Sequence, residues 1–117
     1  MYRMWRATLN SWAGLKAAAK SEAAFREELV ALALAIPLAF FITPLAWKRL
    51  ALVAVILLLL VVELLNTAIE KFADHVTATH HPDIGRIKDM SSAAVGVALA
   101  IAGLTWLLAL AEWLGLV

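Results

Sequence analysis

Apolar residues run almost unbroken from Leu50 to Val62, and then polar residues begin to arrive on one helical face. Glu63, Asn66, Glu70 and Asp74 fall at roughly 0°, −60°, −20° and +20° around a helix that turns about 100° per residue. They form one stripe, rising about 16 Å along the helix axis toward water. A second apolar run, Leu29 to Trp47, spans nineteen residues without a charge, about 28 Å of helix. A third runs from Ala93 to Leu114 behind Ser91-Ser92. The pattern predicts membrane-spanning helices over residues 29–47, 50–69 and 93–114, in a single domain of residues 1–117. Residues 1–28 are patterned differently. Trp5, Leu9, Trp12 and Leu15 recur at spacings of four, three and three, while Arg6, Asn10, Lys16 and Lys20 lie mostly to the sides. That predicts an amphipathic surface helix with its tryptophans at headgroup level.

Between the runs, Pro37 predicts a kink and Pro44 the end of the first span. Trp47-Lys48-Arg49 reads as a short polar turn, and Lys71 to Met90 as a polar loop. The loop carries His75, His80, His81, Pro82, Asp83, Gly85, Arg86, Lys88 and Asp89. His80-His81 invites a zinc site, but no third His or Cys is clustered with them, so a solvated loop is the better reading. Pro82 and Gly85 support a turn. In the third span, Ala93, Ala94, Gly96, Ala98, Ala100 and Ala102 suit close helix packing.

Composition settles the class. Hydrophobic residues make up 64% of the 117, charged residues 16%, and the mean hydropathy is +0.88. So apolar a chain of this size predicts an all-α integral membrane protein. Cysteine is absent and the net charge is +1, so neither a disulfide frame nor nucleic-acid binding is indicated. The first 26 residues have no continuous apolar core, which argues against a removable signal peptide. Five basic residues lie in the N-terminal region, three in Lys71–Met90 and two in Trp47–Arg49. With three spans the first two groups share a side, and the positive-inside rule places them in the cytoplasm. The stripe, Glu22, Glu28, and Arg86-Ile-Lys88-Asp89 then meet at the cytoplasmic membrane surface.

A carboxylate at membrane depth marks a function or a tight pairing. Carboxylates beside Asn, Lys and Arg at such a boundary fit a magnesium–nucleotide site, in which phosphate oxygens and water complete the metal's shell. Glu63, the deepest, would meet a lipid hydroxyl. No Gly-rich loop precedes a Lys, so a Walker-type phosphate cradle is excluded. From the residues alone, ion or proton transport ranks about level with lipid chemistry. The blander reading makes the polar groups helix glue and gives Glu22, Glu27 and Glu28 a solvated face with Arg26. Few spans, and carboxylates gathered at one end, lean toward surface chemistry.

Three blocks carry a resemblance: Glu22-Ala-Ala-Phe-Arg-Glu-Glu28, Val62-Glu-Leu-Leu-Asn-Thr-Ala-Ile-Glu70 and Gly85-Arg-Ile-Lys-Asp-Met-Ser-Ser-Ala-Ala94. In these, and in length and layout, the chain resembles the small bacterial integral-membrane diacylglycerol kinases. The resemblance implies a homotrimer in the bacterial inner membrane, with sites between subunits facing the cytoplasm. These would transfer the ATP γ-phosphate to diacylglycerol with Mg2+ as cofactor. It implies Glu63 as general base and Glu22 and Glu70 as metal carboxylates. Arg3, Arg6, Asn10, Glu22, Glu70, His81, Lys88 and Asp89 would contact the nucleotide, and Arg3, Glu63 and Ser92 the lipid. Glu28, Asn66 and Asp74 would support the site. Arg6 stands where the family often has Lys, Asn10 replaces a frequent aromatic, and His80-His81-Pro82 departs from the usual sequence. A related branch phosphorylates undecaprenol; the Glu22–Glu28 block looks closer to the diacylglycerol branch.

Overall fold

The computed structural model describes residues 1–77, 79 and 81–117, and the described residues form four helices. They are α1 (Tyr2–Ser21), α2 (Ala23–Ile42), α3 (Ala46–Val76) and α4 (Pro82–Trp113). One residue separates α1 from α2: Glu22 is extended, at φ −119° and ψ 113°. Most of α1 is exposed. It docks through its C-terminal end, where Ala18 is buried with Phe25 of α2 and Leu60 of α3.

The helix boundary after α2 lies earlier than the sequence suggests. Thr43 is extended, and its N–H still donates to the Ala39 carbonyl at 3.2 Å. A residue before proline is pushed out of helical conformation, so Pro44 acts through Thr43. The corner is closed by Arg49, whose Nε donates to the Thr43 carbonyl at 2.8 Å and whose guanidinium lies 4.2 Å from the Phe40 ring centre. Trp47-Lys48-Arg49 is therefore the first turn of α3, and the reversal is Thr43 to Leu45. Pro37 sits inside α2 without ending it. Residues 29–42, the uncharged helical part of α2, cover only about 21 Å.

α3 and α4 also run on where a polar loop was expected. α3 continues to Val76 and α4 starts at Pro82, so most of Lys71–Met90 is helix. The α4 start is well specified: Pro82 takes the first helical position, and the His81 Nδ1 accepts from the Asp83 N–H at 3.1 Å. His80 lies outside the described residues. Among the described residues, α3 and α4 are the two helices long and apolar enough to cross a membrane.

These two helices pack side by side, with polar links at four levels. Lys88 pairs with Asp74 near the α3–α4 connection. The Ser91 hydroxyl donates to Asn66 Oδ1 at 2.7 Å. Farther along, Trp106 Nε1 donates to the Leu52 carbonyl at 3.0 Å, and Lys48 pairs with Glu112 at the far end. Between these links the seam is small on the α4 side: Ala98, Ala102 and Ala109 are buried. Of the six small residues singled out in the sequence, only Ala98 and Ala102 are buried, and a Cβ on Gly96 would meet open space. Gly115, just past the end of α4, has a φ of 77° that lets the Leu116 N–H turn back to the Ala111 carbonyl at 2.8 Å.

Candidate active site

The stripe is one face of α3, and its burial falls along its length. Glu63 is 6% exposed, Asn66 and Glu70 are half-buried, and Asp74 is exposed. Spacings of three, four and four residues keep the positions on one face as α3 leaves its apolar stretch. Thr67, one turn past Glu63, is also buried.

Two further carboxylates approach from α1 and α2. Glu22 occupies the extended corner between those helices, and Glu70 and Glu22 both act electrostatically on Glu63. Glu28, one turn and a half into α2, has a buried Oε1 with no hydrogen-bond partner among the described residues. Burial, then the charges of Glu63 and Glu27, pushes the Glu28 carboxyl up to about 7. No Lys or Arg forms an ion pair with Glu22, Glu28, Glu63 or Glu70 among the described residues.

Asn66 orders this face. Its Oδ1 accepts from Ser91 and its Nδ2 donates to Glu70 Oε1 at 3.4 Å. The chain of contacts runs from α4 through Asn66 to a proposed metal carboxylate. Ser91 is absent from the site predicted by sequence, which took Ser92. A signal existed: Lys88, Ser91, Ala98, Ala102 and Ala109 are spaced by three, seven, four and seven residues, which keeps them on one face of α4. Ser92 lies one step round the helix and is exposed.

On the other side of Glu70, Asp74, Lys88, His81, Thr77, Thr79 and Gly85 line a polar cavity of 280 Å³ at the α3–α4 corner. Asp89, which follows Lys88 on α4, is exposed. Arg3, Arg6 and Asn10 lie on exposed α1 residues. Arg6 sits 5.7 Å from the Tyr2 ring centre. None of the three makes a side-chain hydrogen bond or ion pair to the carboxylates among the described residues. The fold thus brings together Glu22, Glu28, Glu63, Asn66 and Glu70, places Asp74, Lys88 and His81 next to them, and leaves the α1 residues apart.

Among the described residues, no three His, Cys, Asp or Glu side chains form a group able to hold a metal. Magnesium does not require one: one or two carboxylates, phosphate oxygens and water suffice. The carboxylate oxygens of Glu22 and Glu70 are donors of the kind that suits a hard cation brought in with a polyphosphate.

The prokaryotic diacylglycerol kinase family profile matches residues 9–110. The chain belongs to that family. The diacylglycerol kinase of Escherichia coli K12 is 43% identical over 104 residues, covering 89% of this chain and 85% of that protein. The one from Pseudomonas aeruginosa PAO1 is 44% identical, with the same coverage. The Helicobacter pylori J99 protein is 35% identical over 106 residues, covering 89% and 81%. As a family member the protein is an ATP-dependent lipid kinase, and its apolar helices are those of a membrane-associated enzyme.

Proposed function

We propose that this lipid kinase transfers the γ-phosphate of ATP to the hydroxyl of diacylglycerol, giving phosphatidic acid and ADP, with Glu63 as general base. The observation that carries the reading is the depth gradient: the buried carboxylate of Glu63 lies at the apolar end of the stripe that leads to Glu70 and water. A diacylglycerol hydroxyl stays near the membrane surface, and ATP stays in water. A face that joins the two depths suits their reaction.

Glu63 accepts the proton as the lipid oxygen bonds to the γ-phosphorus and the bond to the ADP oxygen breaks. Glu22 and Glu70 would hold magnesium, which when bound neutralises charge on the phosphate oxygens. Asn66 orients Glu70, Ser91 orients Asn66, and Glu28 closes the buried side. The polar cavity at the α3–α4 corner would take the nucleotide. There Lys88 is held by Asp74 and available to phosphate, with His81 and Asp89 beside it. Ser92 would line the lipid end.

Arg3, Arg6 and Asn10 supply their nucleotide and lipid contacts in a homotrimer whose sites lie between subunits. Support comes from the lack of any polar contact, among the described residues, between these three and the carboxylates of their own chain. α2 completes three spans. The enzyme sits in the bacterial inner membrane with the site facing the cytoplasm, in keeping with the basic residues flanking it.

The test is purified protein in mixed micelles with labelled ATP, with or without magnesium, and with diacylglycerol or undecaprenol. Labelled phosphatidic acid, formed only with magnesium, is the expected product. Labelled undecaprenyl phosphate alone would move the enzyme to the other lipid branch. Glu63→Gln should keep the wild-type helix content and lose turnover by about 100-fold or more. A Glu63→Gln enzyme working near the wild-type rate would remove Glu63 as the base.

A further inference from the structure

The proposed metal carboxylates Glu22 and Glu70 belong to different elements, and the structure ties their immediate neighbours together. Lys71 follows Glu70 on α3, and Ser21 precedes Glu22 at the end of α1. The Lys71 Nζ donates to the Ser21 Oγ at 3.0 Å, across fifty positions of sequence. It is the one side-chain hydrogen bond between α1 and α3 among the described residues. We propose that the Lys71–Ser21 contact is a positioning brace that sets the separation of Glu22 from Glu70, and so tunes the site for magnesium. The proposal rests on the reading of those two carboxylates as metal-binding.

The corner needs such a brace. Glu22 is the lone extended residue between two twenty-residue helices, so small changes at its backbone swing α1 against α2. Two interactions hold the α1–α2 side. The Arg26 Nη1 donates to the Ala19 and Lys20 carbonyls at 2.8 and 3.1 Å, satisfying acceptors that a helix end leaves open. Phe25, 1% exposed, anchors the corner beside Ala18 and Leu60. The Phe25 cluster joins the α1 end to α3 at Leu60, before Glu63, but neither interaction reaches Glu70. Between α1 and α3 lies a groove of 460 Å³ lined by Ser11, Gly14, Ala18, Leu64, Thr67 and Lys71. The Lys71–Ser21 hydrogen bond lies at the edge of this groove.

Lys71 is well suited to this. Its ammonium faces a hydroxyl, and no carboxylate pairs with it among the described residues. The Ser21 Oγ donates its own proton to the Ala17 carbonyl at 3.0 Å, which leaves its lone pairs turned to Lys71. Magnesium demands near-ideal geometry at short metal–oxygen distances. A carboxylate pair free to drift apart would be penalised for it.

The test compares Lys71→Met, Ser21→Ala, the double variant and Glu22→Gln in micelles with a non-hydrolysable ATP analogue. Binding is read by titrating Mn2+ and following the electron paramagnetic resonance signal of the free ion, and Mg2+ affinity by competition. Removing a group that holds a ligand in place weakens metal binding by about tenfold. Each single variant should show a loss of that size for Mg2+, with the KM for the lipid unchanged. The double variant should be no worse than the singles, because both remove one contact. Ser21→Ala deletes only a hydroxyl, so the comparison survives if Lys71→Met fails to fold. If Glu22→Gln weakens binding and Ser21→Ala does not, the brace is refuted and the metal role of Glu22 stands. Additive losses in the double variant also refute it. If Glu22→Gln leaves binding unchanged, the metal role of Glu22 falls, and the brace with it.

Discussion

Glu28 shows how much one side chain's surroundings decide. Its sequence neighbours, Arg26 and Glu27, suggest a solvated charge. In the fold its Oε1 is buried without a partner among the described residues, and Glu63 and Glu27 add negative charge nearby, so the carboxyl rises from the ordinary 4.5 to about 7. A raised carboxyl pKa means that the folded chain holds a proton the unfolded chain has released between those two values. Its stabilising effect is therefore complete below pH 4.5 and lost as the pH rises through 7. Glu28→Gln should flatten that part of the stability profile. Unfolding midpoints in micelles at about pH 5 and about pH 8 give the check: the wild type should fall more than the variant. Parallel profiles would mean that the burial of Glu28 has no bearing on stability. Glu63 and Asn66 were recognisable in the sequence because polar groups in an apolar run are rare. Ser91 was missed because serine is common; its place on the buried α4 seam and its bond to Asn66 distinguish it from the exposed Ser92.

At the scale of elements, spacing was a better guide than polarity. The four stripe positions predicted one helical face, and α3 contains all four. Polarity predicted a loop after Lys71, but a helix that has left the membrane is as polar as a loop, so composition does not separate them. The His81 cap and Pro82 at the first turn were the signals that do. The α3–α4 seam then depends on its cross-links. Trp106→Phe keeps an aromatic ring and deletes the hydrogen bond to the Leu52 carbonyl. It should lower stability by about 0.5–1.5 kcal/mol. Turnover should stay close to wild type, because Trp106 lies about 22 Å along α4 from Ser91. Unfolding by graded SDS in mixed micelles, with the lipid kinase assay beside it, reads both. A large loss of turnover at unchanged stability would contradict this separation of roles.

The whole chain extends 53 × 41 × 22 Å, and large apolar side chains such as Phe40, Phe41, Trp47, Leu104, Leu107 and Leu108 face outward. That suits lipid and neighbouring helices better than water. The carboxylate cluster has no cation paired with it among the described residues, while Arg3 and Arg6 stand exposed on α1. If the trimer brings one chain's α1 to another's carboxylates, two inactive variants should complement each other. Chains carrying Glu63→Gln should regain turnover when co-assembled with chains carrying Arg3→Gln and Arg6→Gln. Mixing after unfolding and joint refolding in micelles is the measurement. Recovery no greater than the sum of the separate preparations would place the whole site within one chain.

The sequence by itself determined the class, the polar face of α3 and the family. These depend on hydrophobic content, on a helical period of about 3.6, and on residue blocks, all of which are properties of order along the chain. Only the tertiary structure decided how that face is completed. The sequence already set Glu22 and Glu28 at the same membrane surface as the stripe; the fold brings them to it because an extended residue and a buried phenylalanine fold α1 and α2 against α3. Ser91 and Lys88 reach it because small residues let α4 come close. Contacts between residues far apart in sequence depend on packing in three dimensions, which periodicity along one helix does not encode.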